Sequence, residues 1–312
     1  MPTRRSPRKG SLQFWPRKRV NKFLPRVNWN SIKSGKNLKG FICYKAGMCS
    51  AYVKDNTPAS MTKGKNMILP STILECPPMR ILSIRFYQEN KLIDEMLAQN
   101  LDKELKHKLK IPKKAGRNLE DQKKEYDDIK IICYSQSKKT GIKKTPDISE
   151  IGLVGTLEDK INFIKENIKK EISILDVFEK NQLVDLRGLT KGKGLSGPVK
   201  RFGITLKVRK SEKGRRRPGS LGPWHPARVT FRVPQAGQLG MFTRVKYNNV
   251  IIDLGKSKPE LKEIKNYGKI RSDYILLQGS VQGPAKRQLL LTSTLRASKK
   301  TNKKNFELIE IR

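Results

Sequence analysis

The 312-residue chain carries 68 Lys and Arg against 28 Asp and Glu, a formal +40, and only 36 % of its residues are hydrophobic. No apolar run approaches the ~18–20 residues of a membrane span, and the N-terminus MPTRRSPRKG lacks the apolar core of a signal peptide, so a soluble, non-secreted, cytoplasmic protein is expected. A net charge this large repels itself unless a polyanion neutralises it, and nucleic acid is the obvious one.

In chain order, FICYKAGMCSAYVK (41–54) and MILPSTILECPPMRILSIRF (67–86) are rich in Ile, Tyr, Val and Phe and predict short strands. Between 91 and 110, Leu92, Met96, Leu101, Leu105 and Leu109 approximate helical spacing, which predicts a helix with His107 on its surface. IKIICY (129–134) predicts a strand, followed by a Lys-rich turn around Gly141 and Pro146. Thr156 with Asp159 has the form of a capping box, and Leu157, Ile161, Ile164 and Ile168 then make one apolar helix face. A second short helix is expected from Ser173 and a strand over Gln182–Leu186. NNVIIDLG, DYILLQGSV and KRQLLLTST predict strands after residue 247. The fold class is mixed α/β, mostly β.

The charge is unevenly spread. Residues 1–40 hold 12 Lys/Arg and no acid, and residues 187–246 hold 16 against Glu212 alone, whereas 85–186 hold 21 against 19. This divides the chain into a basic N-terminal extension (1–40), a β body in two pieces (41–84 and 247–312), a balanced α/β insert (85–186) and a strand with a long basic loop (187–246). The two basic segments carry 13 of the 23 glycines and 9 of the 17 prolines, so neither reads as a compact core. They also hold all three tryptophans, Trp15, Trp29 and Trp224. Among arginines and lysines these indoles are expected to face a partner by stacking and cation–π contact; the alternative for Trp15 and Trp29 is that they fold back on the protein's own core. Cys43, Cys49, Cys76 and Cys133 form no C-x-x-C pair, which points to reduced, partly buried thiols and no metal.

GLTKGKGLSGP (188–198) invites a phosphate-loop reading. It fails the Walker A pattern because Lys193 is followed by Gly194 and no helix pattern follows, so a flexible turn set against RNA phosphates is expected instead. His225, in GPWHPARV, has no acid within ten positions, so no nucleophile–base–orienter set is visible; packing or hydrogen bonding beside Trp224 is expected of it. In RRRPGSLGPWHPARV (215–229), Arg215, Arg216 and Arg217 offer guanidinium forks for phosphate oxygens. The Pro and Gly residues stiffen a segment that can carry Trp224 far from any core.

The chain resembles the large-subunit ribosomal protein L-three family in its archaeal or eukaryotic form. The resemblance is carried in order by PRKGSLQFWPRKR (7–19), GFICYKAGM (40–48), CPPMRILSIRFY (76–87), GLTKGKGLSGPVKRFGI (188–204), RRRPGSLGPWHPARV (215–229), AGQLG (236–240), NYGKI (266–270) and GSVQGPAKR (279–287). It implies a translation-protein-type β-barrel with an inserted α/β domain, a basic tail and a long loop that penetrate large-subunit rRNA, and no enzymatic activity or cofactor. It also implies docking near the 3′-end region of that RNA, a role in early subunit assembly, neighbouring large-subunit proteins as partners, and a loop reaching toward the peptidyl-transferase centre with Trp224 at its tip. The expected RNA-binding residues are Arg4, Arg5, Arg8, Lys9, Trp15, Arg17, Lys18, Arg19, Lys191, Lys193, Lys200, Arg201, Arg215, Arg216, Arg217, Trp224, His225 and Arg228. The rival classes are an RNA-modifying enzyme, which needs a cofactor motif that is not visible, and a DNA-condensing basic protein, which needs duplex DNA as a partner.

Overall fold

The computed structural model describes residues 7–99, 101–112, 125–210, 214–256 and 263–312. It is mixed α/β and mostly β. Its strands are β1 (Gly40–Asp55), β2 (Asn66–Cys76), β3 (Met79–Gln88), β4 (Lys91–Leu97), β5 (Asp128–Ser135), β6 (Ile148–Gly152), β7 (Leu183–Leu189), β8 (Leu195–Ser196), β9 (Gly237–Gln238), β10 (Thr243–Gly255), β11 (Asp273–Gln278), β12 (Gln288–Ser293) and β13 (Phe306–Ile311). The α-helices are α1 (Leu157–Asn167), α2 (Pro198–Phe202) and α3 (Lys299–Asn302). Two compact units result, one of Met1–Lys22 with Leu189–Thr243 and one of Phe23–Gly188 with Arg244–Arg312.

The larger unit contains two sheets. The first runs β12-β7-β10-β11-β2-β1-β13, and β1 also pairs with β12. The sixteen-residue β1 makes this possible: Gly40–Tyr44 pair with β12, Ala51–Asp55 pair with β13, and β2 lies along its other edge. The ladder therefore returns to its starting strand. The second sheet, β4-β3-β5-β6, takes the chain from Met79 onward. Residues of both sheets, among them Phe41, Leu74, Ile81, Ile131, Ile251 and Leu291, share one core.

The helix predicted over 91–110 is not formed. Glu89 and Asn90 both have positive φ (47° and 64°), the geometry of a two-residue hairpin turn, and they send Lys91–Leu97 back along β3. Among the described residues of that span only Lys103–His107 is helical, as a short 3-10 turn that buries Leu105 and leaves His107 exposed. The predicted helix at Ser173 shortens to the 3-10 turn Ile174–Asp176. The capping box at Thr156 is present as expected: Asp159 N–H donates to Thr156 Oγ1 at 3.4 Å and Thr156 N–H to Asp159 Oδ2 at 3.0 Å.

Trp29 does not face a partner. It is 2 % exposed, and an added Cβ at Gly40 or Gly152 would lie 2.8 Å from it, so the indole occupies the space that two glycines leave between β1 and β6. The four cysteines are free thiols, three of them buried; burial pushes the Cys49 thiol up to about 11 and holds those of Cys76 and Cys133 well above the ordinary thiol range, so these three are not thiolates near neutral pH.

Candidate nucleic-acid interface

The smaller unit is built on a narrow antiparallel ribbon. Leu195 and Ser196 face Gln238 and Gly237. Backbone bonds extend the pairing on both sides, from Lys193 N–H to Leu239 O (2.9 Å), Leu239 N–H to Gly194 O (2.9 Å) and Thr190 N–H to Phe242 O (3.0 Å). Gly240 lets the two arms meet: its φ is +80°, and a Cβ there would lie 1.9 Å from the carbonyl oxygen of Lys191. Contrary to expectation, a helix does follow the glycine run. It is the five-residue α2, opened by Pro198 in its first turn and closed by Gly203 at φ +67°.

An aromatic and guanidinium stack joins the N-terminal segment to α2. The Arg17 guanidinium lies 4.3 Å from the Phe202 ring centroid and 5.6 Å from that of Trp15, and Arg201 lies 5.2 Å from Phe202. Trp15 packs at 6.1 Å on Phe202 and edge-on at 5.5 Å against Phe231. Both arginines direct donors to backbone carbonyls: Arg17 Nη1 to Arg201 O (2.7 Å), and Arg201 Nε to Gln238 O (3.0 Å), Nη1 to Gln235 O (3.1 Å) and Nη2 to Arg17 O (3.4 Å). Burial lowers the pKa of Arg201, which stays protonated because the guanidinium is so basic. Arg8 follows the same habit, donating to Arg232 O at 2.6 Å, and Trp15 Nε1–H donates to Ser11 O at 2.9 Å. These four predicted RNA contacts thus have internal partners.

The other predicted residues are presented outward. Lys18, Arg19, Lys191, Lys193, Lys200, Arg215, Arg216, Arg217, Trp224, His225 and Arg228 are exposed, Lys9 is half-buried, and Arg4 and Arg5 lie outside the described residues. Every residue from 214 to 232 is exposed, with Trp224 at 87 %. The arms of the loop touch where Lys207 N–H donates to Arg215 O (3.1 Å) and Arg215 Nε to Lys207 O (3.2 Å). Leu195 at 83 % and Phe231 at 68 % add apolar surface that sequence reading passed over. Phe202 and Gly240 were also missed as organisers; the signals were an aromatic directly after two basic residues in KRFG and the second glycine of AGQLG. Among the described residues no group of three His, Cys, Asp or Glu side chains is placed to hold a metal.

The geometry defines a class of protein, a β-rich body bearing a cationic extension organised by a ribbon and a stack rather than by a core of its own. The chain belongs to the ribosomal protein L3 family, whose model matches residues 1–312. It is 40 % identical over 306 residues to a protein of Methanocaldococcus jannaschii named large ribosomal subunit protein uL3, covering 93 % of this chain and 91 % of that one. Proteins of the same name from Methanobrevibacter smithii (37 % identical, 95 % and 93 % covered) and Archaeoglobus fulgidus (36 %, 94 % and 93 %) are similar over the same extent.

Proposed function

We propose that this chain is a structural constituent of the large ribosomal subunit that binds large-subunit rRNA and carries out no reaction itself. The observation that supports this best is the exposed stretch 214–232, which holds Arg215, Arg216, Arg217, Arg228 and Trp224 and no acid. In water such a segment has neither a core to bury nor carboxylates to pair with. Packed RNA offers it phosphate oxygens for the guanidinium forks and planar bases for the indole. The returning ladder of β1, β2, β7, β10, β11 and β12 is read as the translation-protein-type barrel, the β3–β6 sheet with α1 as the inserted α/β domain, and 187–246 as a barrel strand with its rRNA-penetrating loop. In this reading the body docks near the 3′-end region of the RNA beside other large-subunit proteins, early in assembly. The loop carries Trp224 toward the peptidyl-transferase centre.

The test is sedimentation of a cell lysate through a sucrose gradient after washing at about 0.5 M salt, where affinity resting on phosphate contacts alone falls by orders of magnitude. Stoichiometric retention in the large subunit is expected, because loop and tail are threaded into RNA. Recovery at the top of the gradient refutes the reading.

A further inference from the structure

One surface of this +40 chain has the opposite character. A groove of about 750 Å³ runs along β13, lined by Lys180, Asn181, Asp253, Tyr274 and the strand itself. Three of the lining residues are acidic (Asp253, Glu307 and Glu310) and one, Lys180, is basic. Asp253 is already satisfied, accepting from Lys180 Nζ and Tyr274 Oη, each at 2.6 Å. Glu307 and Glu310 are exposed on the strand; Glu307 accepts from Asn56 Nδ2 at 3.1 Å and Glu310 pairs with the exposed Arg312 guanidinium at 3.0 Å, each through one carboxylate oxygen.

The strand is an edge. In the first sheet's order β13 is terminal, and among the described residues it pairs only with β1. Arg312 both donates to and accepts from Ser50, so the antiparallel alternation turns the N–H and C=O of Ile311 away from β1, toward the groove. The same alternation turns the backbone N–H of Phe306 away from β1, and it is taken by Asn181 Oδ1 at 3.0 Å, where a neighbouring strand's carbonyl would sit. A register shift opposite Tyr52 and Val53 leaves Ile309 as the extra residue, 51 % exposed. Side chains divide cleanly: Phe306, Leu308 and Ile311 turn inward, to a second apolar cluster that includes Val53, Ile252 and Tyr274, and Glu307 and Glu310 turn outward.

We propose that the open edge of β13 receives an extended, basic segment of a neighbouring protein as an added antiparallel or parallel strand. The occupant is defined by the chemistry. Its backbone completes the ladder at Leu308 and Ile311, its alternate apolar side chains extend the inner face, and its Lys or Arg residues on the other face lie cross-strand from Glu307 and Glu310. RNA fits poorly, since two exposed carboxylates flank the edge. The proposal deepens the ribosomal reading by naming where a protein neighbour sits, but its test is independent of the gradient experiment.

The test uses the full-length purified chain and two fluorescent peptides, one of alternating lysine and valine and one of alternating glutamate and valine. Overall charge favours the acidic peptide, so preference for the basic one can come only from a local site. The expected result is saturable binding of the lysine peptide, with amide exchange slowed at Leu308 and Ile311. The double variant Glu307→Lys/Glu310→Lys should weaken binding by about tenfold or more, as removal and reversal of two cross-strand pairs requires. Exchange in the wild-type chain stands alone should the variant misfold. Equal or stronger binding of the acidic peptide, or protection that leaves β13 unchanged, overturns the proposal. So does undiminished binding of the lysine peptide by a folded Glu307→Lys/Glu310→Lys chain.

Discussion

Gly240→Ala is the sharpest probe of how the basic loop is held. Two costs add. A non-glycine residue at φ +80° loses about 1 kcal/mol or somewhat more against the left-handed conformation. The new methyl would also stand 1.9 Å from Lys191 O, a separation no rotamer can relieve because the clashing atom is backbone. The arms must part, and the bonds from Lys193 to Leu239, Leu239 to Gly194 and Thr190 to Phe242 weaken at about 1 kcal/mol each. The total is about 3–4 kcal/mol of local stability, equivalent to amide exchange at Lys193 and Leu239 faster by roughly two to three orders of magnitude. Gly194→Ala is the matched control, since Gly194 also has positive φ (+61°) but nothing within 4 Å, and it should lose only the conformational part, about tenfold. Amides in β1 and β11 should be unaffected by either change. Unaltered protection at Lys193 and Leu239 in Gly240→Ala would show that the ribbon does not organise the loop.

Three further outcomes are expected. Replacing Arg215, Arg216 and Arg217 together with Ala should flatten the slope of log affinity for rRNA against log salt by about 2–3, with thermal stability unchanged because all three are exposed; a salt titration of binding to rRNA fragments reads it. Trp29→Ala should cost about 3–5 kcal/mol by urea unfolding, whereas Trp224→Ala should cost nothing measurable in stability yet perturb tRNA accommodation or drug sensitivity in assembled ribosomes. Burial alone raises the Asp55 pKa, but hydrogen bonds from Thr57, Thr62 (2.5 Å) and Ser60 (3.0 Å) outweigh it and hold the carboxyl at about 2. With its folded value depressed, its contribution is complete above about pH 4 and fades as pH falls toward 2; stability measured across that range should lose this component in Asp55→Asn.

Most of the β framework was legible because apolar, β-branched runs are bounded by Gly, Pro and Asn, and the α1 start because Thr156 and Asp159 carry their own capping chemistry. Lys91–Leu97 misled because Leu92 and Met96 are spaced as on a helix, while the deciding feature was Glu89–Asn90, a turn without the usual glycine. Charge composition found the exposed set from Arg215 to Arg228 but could not separate it from Arg17 and Arg201. Both kinds of arginine look alike in sequence; the difference lies in Phe202 and the carbonyls of Arg201, Gln235 and Gln238, which reach them only through the fold. Trp29 shows the same limit, since its burial depends on Gly40 and Gly152, distant positions whose missing side chains make its room.

The bond between Arg17 and Arg201 spans 184 positions of sequence. The N-terminal segment leaves the synthesising ribosome long before Phe202 and the carbonyls it will rest against exist. At roughly 5–20 residues per second the delay is about 10–40 s. For that interval Trp15, Arg17 and their basic neighbours form an unanchored polycation in a compartment full of RNA and proteases. Whatever protects the nascent chain must act on its first few dozen residues, before the rest has been translated.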